Sequence, residues 1–145
     1  MIALLQRVSR AEVSVAGESV AAIGAGILAF IGVRAGDGPA DAERLAERIL
    51  TYRIFPDAAG RMNRSVRECG GGLLLVPQFT LAADTRKGTR AGFSTAAEPE
   101  AARALFQGLC TRLTERYAPV SAGVFGAHMA VSLVNDGPVT FWLES

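Results

Sequence analysis

Two short segments of the chain hold residue types that could do chemistry. The first is Gln78-Phe79-Thr80-Leu81-Ala82-Ala83-Asp84, directly after an apolar run. The second is Asn135-Asp136-Gly137-Pro138-Val139-Thr140, near the C-terminus. Thr80 supplies a hydroxyl able to orient a water or attack a carbonyl, yet no histidine or lysine in its segment would activate it. On spacing alone, the first segment is a strand ending in a polar turn. The second is a hairpin, because Asp-Gly between apolar strands is a strong turn signal.

Most other chemistries can be set aside. A metal site needs several His, Cys or carboxylate ligands at suitable spacing, and this chain has one histidine, His128, and two isolated cysteines, Cys69 and Cys110. His128 alternates with apolar residues on a predicted strand, which favours a structural histidine over a catalytic base. The Gly-x-Ser-x-Gly elbow of serine hydrolases is missing, and so is the phosphate-binding Gly-x-x-x-x-Gly-Lys-Ser/Thr. Gly70-Gly71-Gly72 precedes a strand rather than a helix and reads as a flexible turn. No metal and no cofactor are expected.

The elements that must position the two segments follow from periodicity. Ile2 and Leu4, then Val13 and Val15, alternate with polar residues as half-buried strands do, and Gly17-Glu18 and Gly24-Ala25-Gly26 punctuate them. Gly26–Val33 is a continuous apolar run suited to a strand covered on both sides, so the N-terminal third is expected to be an antiparallel meander. Ala42, Leu45, Ala46 and Ile49 share one helical face, with Pro39 near the first turn and Asp41 where the helix dipole favours an acid. A second helix is predicted over Glu98–Tyr117, its face formed by Ala102, Leu105, Phe106, Leu109 and Leu113. Leu73–Val76, Ala127–Val134 and Val139–Leu143 read as strands. No repeat, linker or composition break divides the 145 residues, so residues 1–145 are expected to form a single, strand-rich α/β domain with two helices packed on the sheet.

Composition agrees with a globular protein: 50% of residues are hydrophobic and 20% charged. The longest apolar stretches are too short to cross a bilayer, and Met1–Val8 lacks the charged region and cleavage pattern of a signal peptide. A cytoplasmic protein with reduced thiols and no membrane association is expected. Net charge is +1, so contact with nucleic acid would have to come from a local patch. Arg86-Lys87-Gly88-Thr89-Arg90 is one candidate, with Arg61, Arg64 and Arg67 as a second; solvated loop charges explain both groups as well.

Taken together, the two segments closely resemble the signature motifs of the D-aminoacyl-tRNA deacylase family. The likeness extends to Met1–Val8 with Gln6-Arg7-Val8, to Tyr52-Arg53-Ile54-Phe55 with Asp57, Gly60, Met62 and Asn63, and to Phe141-Trp142-Leu143. It therefore runs end to end, in the same order, and implies that family's fold, a mixed, barrel-like sheet.

The resemblance also implies a function. Such an enzyme hydrolyses the ester of D-aminoacyl-tRNAs, and here also of glycyl-tRNA, including glycine mischarged on tRNA(Ala), and so recycles tRNA. It implies that Gly137-Pro138 forms a cis peptide whose carbonyl oxygens enter a pocket of the neighbouring subunit in a homodimer. Adjacent carbonyls can hold the substrate ammonium, after which an L-side chain meets rigid backbone while a D-side chain or a hydrogen escapes. Arg7 matches the arginine that orients this motif. Backbone N–H groups of Phe79 and Thr80 would receive the oxyanion, beside Gln78. Thr80 or the substrate's own ribose 2′-hydroxyl would orient or activate the water, and positioning by the ribose is the preferred account.

Two departures from the family pattern stand out. Pro77 occupies a position where the family usually carries serine, which removes a hydroxyl and a backbone N–H. Ala91-Gly92 replaces a more usual proline and small polar residue. The competing expectation is an inactive homologue that keeps the fold to bind nucleic acid or a partner.

Overall fold

A computed structural model describes residues 1–145. Its central element is one 14-residue strand, β1 (Ile2–Val15), where the alternation of the sequence had marked two short stretches. Strands β2 (Glu18–Ile23) and β3 (Gly26–Gly32) lie end to end along one edge of β1. Ala11 faces Ile23 and Val8 faces Gly26, so the register carries straight across Gly24-Ala25. The expected meander is thus corrected to a single long, interrupted hairpin. The reason is that β3 already uses its far edge to pair, in parallel, with β6 (Gly72–Pro77), leaving no room for β2 between β1 and β3. A side chain at Gly26 would place its Cβ 1.9 Å from the Gly72 carbonyl oxygen, so only glycine allows these strands to meet there.

Strand β7 (Val120–Ala122) adds in parallel to β6, and β8 (Ala130–Glu144) runs antiparallel along the free edge of β1. β2 also lies against β6 and β7, which curls the mixed sheet toward a barrel. Each parallel connection carries a long helix, as parallel strands require. These are α1 (Pro39–Thr51), before β6, and α3 (Pro99–Arg116), before β7. Pro39 and Pro99 occupy first-turn positions, and the Gly38 N–H donates to Asp41 Oδ2 at 2.9 Å. Ala42, Leu45, Ala46 and Ile49 are fully buried, as their spacing predicts; in α3, Ala102, Phe106, Leu109 and Leu113 are buried but Leu105 only partly.

β3 and β6 are covered on both faces, which explains their unbroken apolar runs. Ile27, Ala29, Leu73 and Leu75 point into the larger core beneath the helices, and Leu28, Leu74 and Val76 into a smaller one with Val8, Ala11 and Val13. A short hairpin, β4 (Phe55–Pro56) with β5 (Met62–Arg64), and the one-turn helix α2 (Val66–Cys69) had no clear periodicity to announce them. No helix is long and apolar enough to cross a membrane.

The C-terminal strand departs most from expectation. Asn135–Pro138 is not a hairpin between two strands, and Ala127–Val134 and Val139–Leu143 are not separate; a single strand runs through from Ala130. Gln6 faces Thr140 and Val8 faces Asn135, so Asp136–Val139 bulges out opposite Arg7 alone. Continuous β1 supplies a ladder on both sides of the bulge. The Asn135 side chain clamps its base, donating from Nδ2 to the Arg7 carbonyl at 2.9 Å and the Val139 carbonyl at 3.0 Å.

Candidate active site

The first chemical segment leaves β6 at Pro77. Pairing between β6 and β7 stops at Leu75 and Ala122, with a last bond from the Gly123 N–H to the Leu75 carbonyl at 2.8 Å. Pro77, two residues on, has no N–H to continue that ladder, so the chain is free to turn. On the other edge the Gln78 N–H donates to the Ile31 carbonyl at 2.7 Å, and a 3-10 turn covers Phe79–Ala82. Its first internal bond runs from the Leu81 N–H to the Gln78 carbonyl at 3.3 Å. The Phe79 and Thr80 N–H groups precede that bond and have no partner within the turn.

This turn divides two cavities. One, of about 460 Å³, is lined by Gln78, Phe79, Ala97, Phe125, His128 and Met129 among others, mostly apolar. Phe79 stands 58% exposed at its mouth, its ring 5.1 Å from that of Phe93. Phe125 forms a wall and is backed by the Arg103 guanidinium, 4.9 Å from the ring centroid. Thr80 lines the second cavity, of about 680 Å³, together with Arg34, Asp84, Arg86 and Trp142. The Gln78 carboxamide donates to Thr80 Oγ1 across the ridge between them. Gln78, Phe79 and Thr80 thus stand side by side on one turn.

The second segment is built differently. The Gly137–Pro138 peptide is cis, and Gly137 has φ +126°, a backbone that favours glycine. A Cβ at Gly137 would lie 2.7 Å from Val139 Cγ2 and 3.0 Å from Arg7 Nη2. Arg7, only 13% exposed in its side chain, braces the bulge: Nε donates to the Asp136 carbonyl at 3.2 Å and sits 3.0 Å from Asp136 Oδ2, while Nη1 donates to the Ile54 carbonyl at 2.7 Å. Gly137 and Pro138 are exposed and line neither cavity, so one chain does not bring them to Gln78, Phe79 and Thr80.

Charges near the turn are strongly coupled. Hydrogen bonds from the Arg86 side chain and backbone hold the Asp84 carboxyl far below the usual carboxylate range. Of the two free cysteines, Cys69 is exposed, and burial pushes the Cys110 thiol up to about 11. Sequence reasoning missed the cavity walls, Ala97, Pro99, Ala102, Phe125 and Met129, which come from separate parts of the chain and carry no shared local pattern. It also placed His128 on a strand; the residue stands instead, exposed, in the irregular segment before β8, in the lining of the apolar cavity.

With this geometry in view, the relatives are informative. A profile of the D-Tyr-tRNA(Tyr) deacylase family matches residues 4–144. The D-aminoacyl-tRNA deacylase of Thioalkalivibrio sulfidiphilus (strain HL-EbGR7) is 69% identical over 99% of this chain and 97% of its own. That of Alkalilimnicola ehrlichii (strain ATCC BAA-1101 / DSM 17681 / MLHE-1) is 62% identical, covering 100% and 97%. A solved structure described as a c-Myc DNA Unwinding Element Binding Protein superposes with a TM-score of 0.96 at 38% identity, covering 100% of this chain and 99% of the other. Another, of a probable eukaryotic D-amino acid tRNA deacylase, shares the fold with a TM-score of 0.81 at 18% identity, over 99% of this chain and 98% of that one. The chain belongs to the D-Tyr-tRNA(Tyr) deacylase family of enzymes.

Proposed function

We propose that the chain hydrolyses the ester between a D-amino acid and the terminal ribose of tRNA, releasing both. The deacylase activity itself accords with family membership. The observation that carries the mechanism is the pair of N–H groups at Phe79 and Thr80, free of turn hydrogen bonds, on the ridge between an apolar cavity and the one that Thr80 lines.

The cavity beside Phe125 suits the terminal purine of tRNA, which would stack on an aromatic wall and leave its ribose at the turn. Water attacks the ester carbonyl, and the developing oxyanion takes hydrogen bonds from the Phe79 and Thr80 N–H groups; one such donor is worth about 10²–10³ in rate. The acyl C–O bond then breaks and the ribose oxygen leaves with a proton. Thr80, whose hydroxyl accepts from Gln78, orients the water rather than attacking, since no basic side chain touches it. The ribose 2′-hydroxyl lies beside the reacting ester and supplies the remaining positioning.

Handedness is set by a second copy. Gly137 and Pro138 project, exposed, from the bulge of β8, held by Arg7, on a strand that pairs only with β1. Packing that edge of the molecule against a twin carries the bulge to the partner's pocket. There the Gly137 and Pro138 carbonyls take the substrate ammonium and their backbone excludes an L-side chain. Glycine has nothing to exclude, so glycyl-tRNA, including that made on tRNA(Ala), is also a substrate. The reaction belongs to the cytoplasm, where charged tRNA is used.

A second reading, a nucleic-acid-binding homologue without catalysis, is favoured only by Pro77 and by the description of the solved structure at 38% identity. Purified protein incubated with D-tyrosyl-, L-tyrosyl- and glycyl-tRNA separates the two. Hydrolysis of the D and glycyl esters with the L ester spared is expected. Hydrolysis of none overturns the assignment, and activity on D-tyrosyl- but not glycyl-tRNA overturns the account of exclusion.

A further inference from the structure

The loop that follows the catalytic turn is unusually well fixed for a segment with an exposed basic tip. Asp84 and Gly92 exchange both backbone hydrogen bonds, at 2.8 and 2.9 Å, closing the loop at its neck. Just beyond the neck, the Phe93 ring rests against Phe79, and the Thr95 hydroxyl donates to the Ala82 carbonyl. The loop is tied to the turn on both sides. Within it, the Asp84 carboxylate accepts from Arg86 Nε at 2.9 Å, Nη2 at 2.8 Å and the backbone N–H at 3.1 Å, so the Arg86 charge is spent inside the loop. Lys87 and Arg90 are exposed and take part in no ion pair.

These two cations border a cavity of about 490 Å³ that has no apolar side chain in its lining; Ser94 and the Gly92 backbone complete it. Asp84 and Arg86 belong both to this cavity and to the larger one that Thr80 lines. The two cavities adjoin at that ion pair, Thr80 lining one and Lys87 and Arg90 the other. Two uncompensated cations in a polar cavity, next to the cavity where an ester is cleaved, match one ligand chemistry. That ligand is a chain of phosphodiesters approaching the esterified nucleoside.

Resting on the deacylase reading above, we infer that the two cavities act as one groove, from Thr80 to Lys87 and Arg90, and hold the phosphate backbone of the single-stranded 3′ end of aminoacyl-tRNA. Lys87 and Arg90 each neutralise a phosphate, while Asp84 keeps Arg86 folded back so that the groove stays open.

The test is salt-dependent binding of uncharged tRNA to the wild type and to the double variant Lys87→Ala/Arg90→Ala, beside turnover of D-tyrosyl-tRNA and of D-tyrosyl-adenosine, which has no upstream phosphate. Both residues are solvent-exposed, so the variant should fold; circular dichroism checks this. Each single-strand phosphate contact contributes about 0.7 to the slope of log K against log salt, so the variant should flatten that slope by about 1.4. The loss of kcat/KM on D-tyrosyl-tRNA should exceed that on D-tyrosyl-adenosine by about tenfold, carried by KM, since only the longer substrate reaches the groove. Arg90→Lys in a Lys87 background should keep most of the slope. Equal slopes for wild type and double variant, or equal losses on both substrates, would overturn the groove. Wild type inactive on both esters would overturn the deacylase reading instead, and the binding slopes would still decide the groove.

Discussion

The turn at Gln78-Phe79-Thr80 and the bulge at Gly137-Pro138 are both places where a strand is interrupted, but they are interrupted for opposite ends. The turn stands between two cavities. Pro77 ends a ladder, the chain folds back over Gly32, and two N–H groups are left without a partner in the turn. The bulge is displayed. Its strand continues on both sides, Asn135 and Arg7 lock its base, and its tip, Gly137-Pro138, is exposed. On the proposed reading one region receives what the other presents, so neither is complete alone. A two-fold dimer would deliver each bulge to the other copy's pocket, setting the catalytic groups apart from the group that judges handedness.

The sharpest way to break this comparison is to damage each half separately and mix. Gly137→Val puts a branched side chain where even a Cβ would lie 2.7 Å from Val139, in a backbone disfavoured for such residues. Phe79→Pro removes one N–H at the first position of the turn, where proline's fixed φ is tolerated. Each variant alone should lose about 10²-fold or more in kcat on D-tyrosyl-tRNA. Co-refolded in equal amounts, half the dimers pair one intact pocket with one intact bulge, and activity should return to about a quarter of wild type. No recovery, with mixed dimers shown by mass spectrometry, would mean that each chain completes its own site.

A smaller effect sharpens what the receiving half does. Thr80→Ala removes a hydroxyl that accepts one hydrogen bond, from Gln78. If the hydroxyl only orients water, the loss corresponds to one ordinary hydrogen bond, about 0.5–1.5 kcal/mol, or at most about tenfold in kcat. Complete loss of turnover, or a threonyl ester trapped by acid quench, would make Thr80 the nucleophile.

The two regions also differed in how legible they were. Strand β6 and helix α1 could be placed from periodicity because their burial repeats locally: Leu73–Val76 is apolar without a break, and Ala42, Leu45, Ala46 and Ile49 recur at helical spacing. The turn followed from its position after a buried strand. The bulge did not follow from spacing. Asp-Gly flanked by apolar residues is a hairpin signal, and what overrides it is a partner strand, β1, more than a hundred residues away that pairs on both sides. The same long-range pairing turned an expected meander into one hairpin. The walls of the apolar cavity were unreadable for a related reason, since Ala97, Phe125 and Met129 meet only after α3 and β8 pack.

The smallest expected effect concerns Pro77, which stands where the family usually has serine and is the one residue that makes the receiving half look impaired. The structure gives it a place that needs no hydroxyl. It closes β6, its ring forms part of the cavity wall, and without an N–H it ends the ladder to β7 after the bond at Leu75. Pro77→Ser should therefore change kcat/KM on D-tyrosyl-tRNA by less than about threefold, and melting should shift slightly downward as the unfolded chain regains freedom worth about 0.4–1 kcal/mol. A gain of tenfold or more in turnover would contradict this: the hydroxyl would then be part of the chemistry, and water alone, positioned by the turn and the ribose, would be an incomplete account of this site.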